Sequence, residues 1–121
     1  MASKVQFKIA FARGDSYDKG FILKSQATGE PVTDEFDEVY FTVKKYSTDQ
    51  DYLFQKKMTD GGIYTEWDGK FTVYIAPEDT DNLSFGEYDC DMEFVSVDDE
   101  FKRTFYGKLE LTKEVTYASN E

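Results

Sequence analysis

Few residues of this chain have side chains able to do chemistry. Cys90 is the one thiol, and the 121 residues contain no histidine. Without histidine, Ser-His-Asp and Cys-His machinery and every histidine-based metal site are excluded. One cysteine also excludes an intrachain disulfide. Cys90 stands between Asp89 and Asp91 in a stretch that alternates apolar and polar residues. Neighbouring carboxylates and burial both raise a thiol's pKa and suppress the reactive thiolate. Cys90 is therefore expected to be a small packed hydrophobe, not a nucleophile.

Carboxylates are the remaining candidates. Glu87, Asp89, Asp91 and Glu93 fall on one side of an alternating segment, at about 7 Å intervals along a strand. Calcium wants about 6–8 oxygens converging on one point, usually from a loop. A straight strand spreads its carboxylates apart, so no metal is assigned. A docking stripe for a basic partner fits better, and a solvated face partly neutralised by Lys108 fits best. Asp34-Glu35, Asp37-Glu38 and Asp98-Asp99-Glu100 crowd acids into turn-like stretches. Acid/base catalysis needs two carboxyls in different environments, and solvated turns do not provide them. Arg13-Gly14-Asp15 spells the integrin tripeptide, but reads here as a tight turn between strands. There is no Gly-rich phosphate loop. Neither catalytic, cofactor-binding nor metal residues are assigned, no cofactor is implied, and an enzyme is not expected.

The elements that position these residues are strands. Val5, Phe7, Ile9 and Phe11 alternate with polar or small residues, the pattern of a half-buried first strand. A second apolar segment is Phe21-Ile22-Leu23, and residues 27–38 read as a loop. Val39, Phe41 and Val43 face one way on a third strand, and a fourth runs from Tyr52 to about Met58. Residues 63–67 lie between turn signals and take no firm assignment. Phe71, Val73 and Ile75 mark a fifth strand, Tyr88 to Phe94 a sixth, and Phe105, Leu109 and Leu111 a seventh. Between the fifth and sixth, a short helical turn near residues 77–82 begins at Pro77. Glu78, Asp79 and Asp81 lie near its positive end. If Asp98-Asp99 is a two-residue hairpin turn, Val97 pairs with Glu100, Met92 with Phe105, Asp89 with Lys108 and Tyr88 with Leu109. Both apolar rows then share one face.

Seven strands in one domain's length predict an all-β antiparallel sandwich spanning residues 1–116, with 117–121 as a flexible tail. Gly86-Glu87-Tyr88-Asp89-Cys90 resembles the start of strand F in immunoglobulin domains, where the tyrosine hydroxyl ties back to upstream backbone. The partner cysteine and the tryptophan of the third strand are missing. An immunoglobulin-like topology without the inter-sheet disulfide is therefore expected.

Composition narrows the partners. The chain carries 14 basic and 25 acidic residues, a net charge of −11. Nearly all of that excess falls in the second half, where residues 61–121 hold five basic and fifteen acidic side chains. Phosphate recognition depends on lysine and arginine, so nucleic acid and anionic membranes are not expected partners. No apolar run approaches the ~20 residues of a membrane helix, and no N-terminal stretch resembles a secretory signal. Eleven Phe and nine Tyr argue against disorder despite the charge.

Several segments in order resemble a family of small immunoglobulin-like domains in virion proteins of tailed bacteriophages. They are Ala12-Arg13-Gly14-Asp15, Gly29-Glu30-Pro31-Val32, Val39 to Lys45, Leu53-Phe54-Gln55-Lys56, Gly69 to Val73, Ala76 to Thr80, Gly86-Glu87-Tyr88, Gly107 to Leu111 and Glu114-Val115-Thr116. The resemblance implies a non-enzymatic structural or adaptor role in a virion assembled in the host cytoplasm: tail, baseplate or capsid decoration. Its implied partners are other virion proteins or further copies of the chain. Sandwich edges accept added strands, so residues 5–12 and 105–111 are the candidate assembly strands. Tyr40, Tyr46, Tyr64 and Tyr106 are candidate interface anchors. The alternatives are a module binding host-surface glycan or protein, and an acidic regulatory protein acting through the Glu87–Glu93 row.

Overall fold

The structure, a computed structural model, describes residues 5–24, 28–30, 36–67, 69–96 and 102–113. Eight strands and one helical turn follow in order. They are β1 (Phe7–Ala12), β2 (Tyr17–Ile22), β3 (Phe36–Lys44), β4 (Phe54–Lys57), β5 (Ile63–Trp67), β6 (Lys70–Ile75), α1 (Pro77–Thr80), β7 (Gly86–Ser96) and β8 (Lys102–Thr112). One sheet has the order β1-β8-β7-β3-β4 and the other β2-β6-β5. All neighbours are antiparallel except β1 and β8, which run parallel. In immunoglobulin lettering, β2, β6 and β5 take the places of B, E and D, and β3, β7 and β8 those of C, F and G. The chain is an immunoglobulin-like all-β sandwich.

The inward rows make the core. Val39, Phe41 and Val43 on β3 are fully buried, as are Val73 and Ile75 on β6 and Leu109 on β8. Together with Tyr88, Met92 and Phe94 they belong to one continuous cluster. Phe71 of the smaller sheet meets Phe94 of the larger with ring centroids 5.2 Å apart, edge to face. Phe36 and Phe105 add rings at 5.5 and 5.9 Å from Phe94. Such pairs contribute about 0.5–1.5 kcal/mol beyond their buried area. The Phe7 ring of β1 lies over Gly107 of β8, where there is no side chain to block it. A Cβ there would come within 2.5 Å of the Phe7 ring.

The β7–β8 register matches the expectation residue for residue: Met92 opposite Phe105, Asp89 opposite Lys108 and Tyr88 opposite Leu109. The Asp98-Asp99 turn itself lies outside the described residues, as do 114–121, including the expected tail. The Tyr88 hydroxyl donates to the Ser84 carbonyl at 2.6 Å, which is the expected tyrosine corner. The helical turn is present at Pro77–Thr80, closed by Asp81. The Asp79 carboxylate accepts the Ala76 N–H at 2.8 Å and also pairs with Lys56 of β4 at 2.6 Å. That ion pair fastens the turn across the sandwich.

Four element boundaries differ from the sequence reading. Residues 63–67 are a full strand, β5, which brings the count to eight. β2 begins at Tyr17, whose ring stacks on Phe11 at 4.8 Å, instead of at Phe21. Phe36 to Glu38 are strand, not loop, because Phe36 joins the aromatic cluster. Tyr52 and Leu53 are exposed and precede β4, which starts at the buried Phe54.

Candidate functional site

Since β7 is central in its sheet, its outward residues lie between β3 and β8. Asp89 pairs with Lys44 on one side and Lys108 on the other, and Asp91 with Thr42 and Tyr106. The expectation of a solvated acidic face fails at Asp89, which is only 9% exposed. Three donors converge on its carboxylate. Lys108 Nζ reaches Oδ1 at 2.5 Å, the Tyr106 hydroxyl reaches the same oxygen at 2.6 Å, and the Ser47 N–H reaches Oδ2 at 2.7 Å. Burial alone would push the Asp89 carboxyl up. The bonds from Lys108, Tyr106 and Ser47 outweigh it and hold the carboxyl below its ordinary value. Lys108 is correspondingly pushed well above the ordinary lysine range by the Asp89 carboxylate and the Tyr106 hydroxyl. A carboxylate this well satisfied is a poor base, and a lysine held protonated is a poor nucleophile.

The other carboxylates of the row divide by their neighbours. Glu87 lies 3.6 Å from Lys8, and Glu93 3.3 Å from Lys102. The Asp91 carboxylate forms neither ion pair nor hydrogen bond among the described residues. It lines a shallow hollow of about 50 Å³ with Thr42, Lys44, Ser47 and Tyr106. Burial, then the charge of Glu93, pushes its carboxyl up, and Lys44 offsets part of this. A raised folded pKa means the ionised form strains the fold above that value and the strain disappears as pH falls through it. Asp91→Asn is expected to raise the urea midpoint of the domain at neutral pH. The gain should vanish near pH 4, and urea midpoints at the two pH values check it.

Of the remaining acid and thiol candidates, Cys90 and Glu38 are engaged by the fold. Cys90 is buried in the core, and burial, then the charges of Asp91 and Asp89, pushes its thiol up to about 12. Asp34 and Glu35 lie outside the described residues, as do Asp98, Asp99 and Glu100. Asp37 is exposed. Glu38 binds Thr59, accepting its hydroxyl at 2.5 Å and its N–H at 3.1 Å. Burial raises that carboxyl, and the bonds from Thr59 and the backbone bring it below its usual value. Arg13-Gly14-Asp15 is the expected tight turn, with Gly14 at φ +83° and its N–H bound to Thr80 Oγ1 at 2.9 Å. The Arg13 guanidinium sits 4.3 Å from the centre of the Phe85 ring and donates to the Leu83 carbonyl. Among the described residues, no group of three or more His, Cys, Asp or Glu could hold a metal ion.

Of the expected anchors, Tyr46 and Tyr64 are exposed, whereas Tyr40 and Tyr106 are half-buried and Tyr106 is committed to Asp89. One assembly strand is also corrected. Residues 106–112 of β8 lie between β7 and β1, so they present no open edge. β1 does occupy an edge. The sequence pairing of Asp89 with Lys108 signalled half of the polar cluster. Ser47 joins from a turn 42 residues away and left no local trace. No family model matches this sequence, and the search of curated proteins found no significant match.

Proposed function

We propose that this chain is a non-enzymatic structural or adaptor component of a bacteriophage particle, in the tail, the baseplate or as capsid decoration, working by protein–protein packing. The observation that carries the reading is a division of labour within the sandwich. The side chains with chemical potential (Cys90, Asp89, Lys108 and Glu38) are committed to holding the fold. Meanwhile β1 offers one side that no described strand covers. The ordered segments that resemble phage virion domains give this packing role its setting. Mass spectrometry of purified particles should detect the chain at a stoichiometric level. Its absence from particles would overturn the proposal.

One observation favours a second reading, binding of a host-surface glycan. Tyr46, Tyr52 and Phe85 are exposed aromatics, and Arg13 and Lys45 lie against Phe85 and Tyr46. Exposed rings offer flat apolar faces on which a sugar can stack, with the cations beside them to bind its hydroxyls. Specific retention on a glycan array, lost in Tyr46→Ser and Tyr52→Ser, is the result this reading requires.

A further inference from the structure

The sandwich has four edge strands, β1 and β4 in one sheet and β2 and β5 in the other. Three carry features that discourage strand addition. On β2, Lys19 stands opposite the fully buried Val73, so it points inward from the edge, its ammonium 5.8 Å from the Phe21 ring centre. On β4, Lys56 stands opposite the buried Phe41, pairs with Asp79, and belongs to a strand of four residues. β5 breaks its register between Thr65 and Trp67. Inward charges, short strands and bulges are the devices by which sheets avoid joining.

β1 has none of these three, and its one charge, Lys8, points outward. Its register with β8 is regular over six residues. Phe7, Ile9 and Phe11 face the core, and Lys8, Ala10 and Ala12 alternate with them. Residues 5–12 contain no acid, although the chain carries −11 overall. Like-charged copies can therefore approach along this strip with little repulsion.

We propose that β1 is a self-pairing edge. The β1 strands of two copies run antiparallel about a two-fold axis at Ile9, joining two five-stranded sheets into one. This rests on the packing role proposed above and names the partner, a second copy of the chain. Centring on Ile9 sets Ile9 opposite its own equivalent, Phe7 opposite Phe11 and Lys8 opposite Ala10 of the second copy. Ala10 is flanked by Glu110 on β8. The small alanine lets Lys8, now at 3.7 Å from its own Glu110, reach the same carboxylate of the other copy. The strand is thus its own complement in both shape and charge, as an isologous interface requires. Inward Lys19 keeps the smaller sheets apart, so the junction is one sheet thick. An interface this narrow predicts self-association in about the micromolar range.

Sedimentation velocity on the full chain, across a wide concentration series, should show a monomer–dimer equilibrium. Ala10→Lys sets a lysine against Lys8 of the other copy and should weaken dimerisation by about tenfold or more. Residue 10 is exposed, so the circular dichroism spectrum should be unchanged. Under mild oxidation, a mixture of Lys8→Cys and Ala10→Cys chains should cross-link as heterodimers more readily than either variant alone. Buried Cys90 should not compete. A monomer at every concentration, an Ala10→Lys variant that dimerises like the parent, or preferential Ala10→Cys homodimer formation would each overturn the proposal. A monomeric chain found in purified particles would sink self-pairing and leave the virion role standing; a dimer absent from particles would do the reverse.

Discussion

Replacing Phe94 by alanine is expected to cost about 3–5 kcal/mol of folding stability, a large share of what a single domain possesses. Phe94 is 1% exposed and touches rings from three other strands: Phe36 on β3, Phe71 on β6 and Phe105 on β8. Phe71 belongs to the opposite sheet, so the ring helps join the two layers. Truncation removes the transfer free energy of the ring and leaves a void that cannot close, because strands on both sides are fixed by their own ladders. The void would also adjoin an apolar hollow of about 130 Å³ lined by Phe7, Phe21, Leu23 and Phe105. Urea unfolding should show a much lower midpoint with an unchanged slope. Ile22→Ala, at a site 49% exposed, should change stability by no more than about 0.5 kcal/mol. Comparable losses in the two variants would mean that the aromatic cluster does not join the sheets.

Lys108→Met should lower stability by about 1–3 kcal/mol at neutral pH, by leaving the Asp89 carboxylate buried without its cation. The Lys108 side chain is 30% exposed, and solvent screening favours the lower end of that range. The pH profile separates this cause from lost packing. Asp89 titrates below its ordinary 3.8 when folded. Its contribution is therefore present above that value and is lost as pH falls through the folded one. Lys108 titrates above its ordinary 10.5, so its contribution is present below that value and fades as pH rises through the folded one. The parent should exceed the variant most between about pH 5 and 10, and the gap should shrink on acidification. Urea midpoints at pH 7, 5 and 3 test this. A gap that stays constant would assign the loss to packing alone.

Period-two alternation was enough to place the inward rows of β3, β6, β7 and β8. Each of those strands packs one face on a core, and water enforces the pattern residue by residue. The β7–β8 register was legible too, because supposing a two-residue turn at Asp98-Asp99 brings both apolar rows onto one face, and the strands pair in that register. β5 was not legible. Its few residues lie between turn signals, and only pairing with β6 makes them a strand. Phe36 looked like loop because its apolar partners, Phe71 and Phe94, are far along the chain.

The same division runs through the polar residues. Composition alone removed histidine chemistry and an intrachain disulfide, and the acids flanking Cys90 already argued for an unreactive thiol. Whether a carboxylate of the β7 row is solvated or buried was beyond sequence. Glu87, Asp89, Asp91 and Glu93 share one alternation and one functional group, yet the Asp89 carboxylate accepts three bonds while that of Asp91 accepts none among the described residues. The difference comes from what lies across the sheet and above it: Lys108 and Tyr106 on β8, and Ser47 on a distant turn. Side-chain alternation is set by the chain's own geometry and is written locally. Which edge stays open and which charge finds a partner depend on strand order, and that is decided only when distant segments meet.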